Sequence, residues 1–244
     1  MTQNPQWQYA TAADIGQSVA ERLRNFPREP DLLVYTLRSA AAVALRTWLR
    51  GYHRLAITGR ENLPPAGSFI MVANHSSHLD ALCMLSALPL RKLHRAFAAA
   101  AQDYFFVTLS RAAVSSIFIN AVPFSRSTRV RRSLAVCQAL LENPGNVLIL
   151  FPEGTRSEDG VLAPFRPGIG RLAACAGVPV VPCALHGAFA AWPKHARLPR
   201  PRAVRLCIGK PLVFEKSVDG GSVRAAEKAI AQGLHGAVED LLCQ

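Results

Sequence analysis

Two short apolar runs, Phe69-Ile70-Met71-Val72-Ala73 and Asn146-Val147-Leu148-Ile149-Leu150, each break off into a polar segment rich in chemistry. Apolar runs of this length without alternation read as strands buried in a sheet that helices cover. The segments that follow are Asn74-His75-Ser76-Ser77-His78-Leu79-Asp80 and Phe151-Pro152-Glu153-Gly154-Thr155-Arg156-Ser157. Each therefore sits where a strand reaches the sheet edge, and open α/β sheets place their ligands there. The first segment offers a base with a carboxylate; the second offers donors for an anion.

The same pattern extends along the chain. Apolar or β-branched runs near 54–59, 67–73, 94–99, 117–122, 146–151, 179–184 and 203–208 predict strands. Helical patterns fit 79–89, 102–114, 127–142, 167–176 and 222–242, the last with Val223, Ala226, Ile230, Leu234, Val238 and Leu241 on one stripe. This alternation predicts an α/β fold with a mostly parallel central sheet flanked by helices. Ahead of it, 13–26 and 32–52 read as N-terminal amphipathic helices, so the chain divides into a helical segment 1–53 and a catalytic-type domain 54–244. In the second helix Val34, Leu37, Ala41, Leu45, Trp48 and Tyr52 form the apolar stripe, with Arg38, Arg46 and Arg50 on a separate face. Such a basic amphipathic helix can rest among lipid headgroups or pack on the domain with its arginines in water.

Charge narrows the partners. Among 244 residues, 28 Lys+Arg against 16 Asp+Glu leave a net charge of +12, which favours a polyanion: nucleic acid, anionic lipid or a phosphorylated substrate. No recognition motif and no interleaving of basic with stacking aromatic residues supports nucleic acid. The longest stretches free of charged residues and histidine, 112–125 and 172–185, fall short of the roughly 20 residues a spanning helix needs. Six cysteines without C-x-x-C spacing read as reduced core thiols, and the N-terminus lacks a signal-peptide pattern, so the expected location is cytoplasmic.

His75 and Asp80 are five residues apart, which on one helix would point them about 140° away from each other. They meet only if His75 lies in the turn and Asp80 in the first turn of the helix that follows. There Asp80 can bond one imidazole nitrogen and fix the tautomer, leaving the other to take a proton from a substrate hydroxyl, with no protein nucleophile. The competing reading is a capping box, Ser77-x-x-Asp80, in which Asp80 serves backbone N–H groups alone. A metal site from His75, His78 and Asp80 lacks a further ligand cluster. In the second segment Gly154 lets backbone approach a ligand, Thr155 supplies a hydroxyl and Arg156 a planar donor suited to phosphate; an exposed Glu153–Arg156 ion pair in a plain turn is the alternative.

The ordered series is more specific than its parts. Asn74-His75-x4-Asp80, Val122-Pro123-Phe124-Ser125-Arg126, Phe151-Pro152-Glu153-Gly154-Thr155-Arg156-Ser157 and Val178-Pro179-Val180-Val181-Pro182 together resemble the four blocks of the glycerolipid acyltransferases, a family that includes the 1-acyl-glycerol-3-phosphate acyltransferases. The resemblance covers about residues 54–215. It implies an O-acyltransferase that moves a fatty acyl chain from acyl-CoA or acyl carrier protein to a hydroxyl of a lysophospholipid, directly and without cofactor or metal. His75 is then the general base and Asp80 its orienting partner. Arg126, Glu153, Gly154, Thr155 and Arg156 hold the phosphate-bearing acceptor, and Pro182 shapes the acyl side of the pocket. An alternative acceptor, such as lyso-ornithine lipid, stays open, because Asn120-Ala121-Val122 and Arg166-Pro167-Gly168 depart from the usual blocks. So does a non-catalytic lipid-binding role. Lipid substrates with no spanning helix imply a protein on the inner face of the cell membrane, held to an anionic surface.

Overall fold

The computed structural model describes residues 32–101, 120–124, 130–214 and 223–243. The expected helices at 13–26 and 102–114 lie outside them. Helix α1 (Leu32–Tyr52) leads into β1 (Ala56–Thr58) and then β2 (Phe69–Ala73), which is followed by α2 (Asp80–Ala87). Next come β3 (Ala96–Ala101), β4 (Val122–Phe124), α3 (Val130–Glu142), β5 (Val147–Leu150) and α4 (Gly168–Ala176). The chain ends with β6 (Val180–His186), the short α5 (Ala188–Ala191), β7 (Arg205–Ile208) and α6 (Val223–Leu242).

These strands form one seven-stranded sheet in the order β1-β7-β6-β2-β5-β3-β4. All neighbouring pairs are parallel except β6 with β7. Strand β2 is central and wholly buried, and the period of two divides its side chains between two cores. Phe69, Met71 and Ala73 join the core under α1 and α2; Ile70 and Val72 join the core under α3, α4 and α6. Apolar burial on both faces explains why the run shows no alternation. Helix α6 contributes Ala231, Leu234 and Val238 to the second core, as its stripe predicts. It crosses α4 so closely that a Cβ on Gly170 would stand 1.8 Å from Glu227 O, a position only glycine can fill.

Helix α1 departs from the expected division of faces. Arg38 is buried and donates from Nη2 to Asn120 Oδ1 (3.1 Å), and Arg46 donates from Nη2 to Leu88 O. Leu37 and Val43 instead face solvent, Val43 being 51% exposed, while Leu49 is fully buried. The arginines reach carbonyl and amide oxygens across the interface while their stems pack, so charge did not mark the outer face. The cysteines also divide: Cys83, Cys137, Cys183 and Cys207 are buried, but Cys175 and Cys243 are exposed.

Candidate active site

The site lies where two adjacent parallel strands end together. β2 and β5 pair with Val72 opposite Leu150, so the residues after Ala73 and after Leu150 leave the same edge of the sheet side by side. Asn74 fixes the first exit: its Nδ2 donates to Leu185 O (3.1 Å) and its Oδ1 accepts from Leu185 N (2.8 Å), extending the β2–β6 ladder with a side chain. His75 is tied to the second exit through its backbone. Its N–H donates to Glu153 Oε1 (2.6 Å) and its carbonyl accepts from Ser157 N (2.8 Å). The ring itself stacks on Phe151, centroids 4.1 Å apart and planes 18° from parallel.

Asp80 is the first residue of α2 and has no exposed surface. Its Oδ2 accepts from His75 Nδ1 (2.8 Å), Ser76 N (2.7 Å) and Ser77 N (2.8 Å). The capping and orienting readings therefore coexist on a single oxygen. The backbone donors aim the carboxylate, and the carboxylate holds the proton on Nδ1, leaving Nε2 as the basic nitrogen. His75 retains 20% side-chain exposure and lines an open cleft of about 820 Å³. Phe124, Val130, Leu134 and Ile169 give that cleft an apolar wall, and among the described residues no serine or cysteine lines it.

The second segment is arranged differently from expectation. Glu153 is buried and its carboxylate is taken up by backbone donors: Oε1 takes the His75 N–H and Oε2 the Ala163 N–H (3.0 Å), so it pins two loops. Gly154 lines the cleft with φ +79°, and a Cβ there would stand 2.5 Å from Arg166 Nε. Thr155 is exposed. Arg156 packs on His78, whose Nε2 donates to Lys194 O (3.1 Å) while Nδ1 accepts from Arg156 Nη1 (2.5 Å). Burial and the adjacent guanidinium lower the His78 pKa, in keeping with a neutral ring. Neither residue lines the cleft, and His78 turns away from the histidine–aspartate pair. Pro182 lies within β6 opposite Val72 and likewise does not reach the cleft. Arg126 lies outside the described residues.

Among the described residues the cation lining the cleft is Arg166, whose segment departs from the usual blocks and carries no expected binding role. Arg166 lines the cleft with His75 and donates from Nε to Glu153 O (3.2 Å). Its place depends on a loop that returns after ten residues of turn, which spacing alone does not reveal. Among the described residues no three His, Cys, Asp or Glu side chains converge as metal ligands would.

Burial pushes the Glu153 carboxyl from 4.5 up to about 7, against the pull of its two N–H donors. Between those values the folded protein holds a proton that the unfolded chain releases, so this group's contribution to stability falls as pH rises through that window. Glu153→Gln should flatten that slope. It should also destabilise by about 1–3 kcal/mol near neutral pH, because an amide accepts only one of the two N–H groups and presents its own donors to the other. Thermal unfolding of both proteins from pH 4.5 to 8 measures both effects.

Fold and site together define an α/β domain built around a histidine–aspartate pair beside an apolar cleft. The chain belongs to the acyltransferase family: the family model named Acyltransferase matches residues 54–186, more than half of its length. It is 34% identical over 190 residues to a 1-acyl-sn-glycerol-3-phosphate acyltransferase of Chlamydomonas reinhardtii, covering 75% of this chain and 54% of that protein. It is 31% identical over 176 residues to the chloroplastic 1-acyl-sn-glycerol-3-phosphate acyltransferase BAT2 of Brassica napus, covering 68% of this chain and 47% of that protein. The chain thus spans about half the length of these curated relatives. The crystal structure of the 1-acyl-sn-glycerophosphate acyltransferase of Thermotoga maritima superposes with a TM-score of 0.63 at 27% identity, covering 86% of this chain and 80% of that one.

Proposed function

We propose that this protein transfers a fatty acyl chain from an acyl thioester, on coenzyme A or acyl carrier protein, to a free hydroxyl of a lysophospholipid such as 1-acyl-glycerol-3-phosphate. The observation that carries the reading is the 2.8 Å contact between His75 Nδ1 and the buried Asp80 at the mouth of a cleft with an apolar wall. His75 Nε2 removes the hydroxyl proton as the acceptor oxygen attacks the thioester carbonyl, and Asp80 stabilises the imidazolium that results. When the tetrahedral intermediate collapses, the thiolate leaves and takes that proton back from the imidazolium. Phe124, Val130, Leu134 and Ile169 offer an apolar surface for the chain, and Arg166 a planar donor for the acceptor phosphate. The relatives' printed activities support this substrate class. Mass analysis of products from pure protein, a labelled acyl thioester and a panel of acceptors, with lysophosphatidic acid and lyso-ornithine lipid among them, tests it. No acylated lipid from any acceptor would refute it.

Such substrates place the enzyme on a membrane surface, on the cytoplasmic side where soluble thioesters are made. No helix among the described residues is long and apolar enough to cross a bilayer. Tyr35, Leu37 and Val43 leave apolar surface exposed on α1, and the net charge of +12 suits anionic lipid. The protein should bind phosphatidylglycerol vesicles and release them as salt rises. Leu37→Asp with Val43→Asp should cut the bound fraction several-fold without moving the unfolding temperature. Flotation of both proteins measures this. Deleting α1 would be a poorer test, since it removes Leu49 from the core.

A further inference from the structure

A second concavity lies at the opposite end of β2. It is an open hollow of about 730 Å³, and five cations line it: Arg46 and Arg50 from α1, Arg60, and Arg91 and Lys92 from the turn after α2. No carboxylate lines it. Leu63, Pro64, Pro65 and Pro89 give it an apolar rim, while Phe69, with the Lys92 ammonium 5.1 Å from its ring centroid, and Leu88 are buried beneath it.

Part of the charge has a structural use. Arg60 Nη2 donates to Ser86 O (3.3 Å), Arg46 Nη2 to Leu88 O and Lys92 Nζ to Pro64 O (2.7 Å), which caps the end of α2 and one loop. These bonds engage one donor on each side chain and leave the positive charge without a counter-ion. Arg46 Nε is buried with no partner, and the side chains of Arg50 and Arg91 make no hydrogen bond or ion pair among the described residues. Burial lowers the pKa of Arg46 and of Lys92; Arg60 and Arg50 add to the first shift and Arg91 to the second, as mutually repelling cations do. Caps alone do not call for five like charges around one hollow, since each added cation raises the cost of the others.

We infer that this hollow binds a soluble organic polyphosphate, with phosphate oxygens on Arg46, Arg50, Arg60, Arg91 and Lys92 and an organic body against Leu63, Pro64 and Pro89. Its volume suits a nucleotide-sized ligand, and guanidinium groups pair with phosphate through parallel N–H bonds. A soluble ligand fits better than a lipid headgroup. Phe69 opens β2 and His75 follows its end, a separation of about 20 Å along the strand. Phe69 and Leu88 are closed off beneath the hollow, so it offers no apolar channel into which the chain of a lipid could follow its headgroup.

The inference goes beyond the proposed acyl transfer and does not depend on it. Its test is titration calorimetry of the full chain near physiological salt with ATP, with inorganic tripolyphosphate, and with phosphatidylglycerol or phosphatidylcholine vesicles as competitors. ATP should bind at one site, more tightly than tripolyphosphate, and vesicles should leave that binding in place. Arg50→Gln with Arg91→Gln should weaken it about tenfold or more, with unchanged unfolding temperature because neither side chain holds the fold. His75→Ala should bind ATP as the parent does, which separates this site from the cleft. Absent ATP binding, tripolyphosphate binding as tightly as ATP, displacement by phosphatidylglycerol vesicles, or a double variant that binds normally would each overturn it.

Discussion

His75→Ala should lower kcat by about 10³-fold or more, some 4 kcal/mol of transition-state stabilisation, while KM for both substrates moves little. The expectation follows from what the substitution removes and what it leaves. The imidazole is the group in the cleft whose Nε2 can take a proton, and no serine or cysteine lines the cleft among the described residues to substitute for it. The scaffold survives, because the anchors of this residue are made by its backbone: the N–H to Glu153 and the carbonyl to Ser157 N persist in alanine. Asp80 keeps its two backbone donors. Lost are the stack on Phe151 and one hydrogen bond, so unfolding should shift by only about 1 kcal/mol. Steady-state rates with a matched unfolding curve measure both. A variant that keeps more than a tenth of the parent rate would remove His75 from the chemistry. Added imidazole, entering the space the ring vacates, should restore part of the rate if a base is all that is missing.

The part of the molecule written in local pattern was legible from sequence. All seven strands fall within or beside their expected runs, because a buried parallel strand declares itself in consecutive apolar residues such as Phe69 to Ala73. The order β1-β7-β6-β2-β5-β3-β4 and the reversal of β7 are not local, since they depend on which strands meet across long connections. Within the site, the turn that brings Asp80 to His75 was readable from spacing, because a regular helix forbids the contact and a turn permits it. The direction of a side chain was not. Glu153, Arg156 and Arg166 illustrate why: two of them serve backbone and neighbouring rings, and the third, beyond the motif, takes the place beside His75. A carboxylate next to an αL glycine reads as an exposed turn until the N–H groups of His75 and Ala163 are seen converging on it. Helix α1 misled for the same reason, since Arg38 and Arg46 find their oxygens on Asn120 and Leu88, far along the chain.

Asp80→Asn should cost about 10²–10³-fold in kcat, and its contrast with Asp80→Ala separates the two roles that meet on Oδ2. An asparagine carbonyl can stand where Oδ2 stands and still accept from Ser76 N, Ser77 N and His75 Nδ1. A flipped amide would set its NH2 against two backbone donors, so the cap itself holds the carbonyl toward the histidine and keeps the proton on Nδ1. The tautomer therefore persists in this variant. What disappears is the negative charge, and with it the stabilisation of the imidazolium that forms as the hydroxyl loses its proton. The amide nitrogen then occupies the place of Oδ1, which is buried and has no hydrogen-bond partner, at a cost of about 1–3 kcal/mol to the fold. Asp80→Ala strips the acceptor from all three donors and should lose both activity and considerably more stability, with the Ser76 and Ser77 N–H groups left buried and unpaired. If Asp80 served only as a helix cap, asparagine would preserve that service and kcat would stay near the parent value. Stopped assays on the two variants, each paired with an unfolding curve, therefore decide whether the carboxylate acts on the reaction or only on the turn.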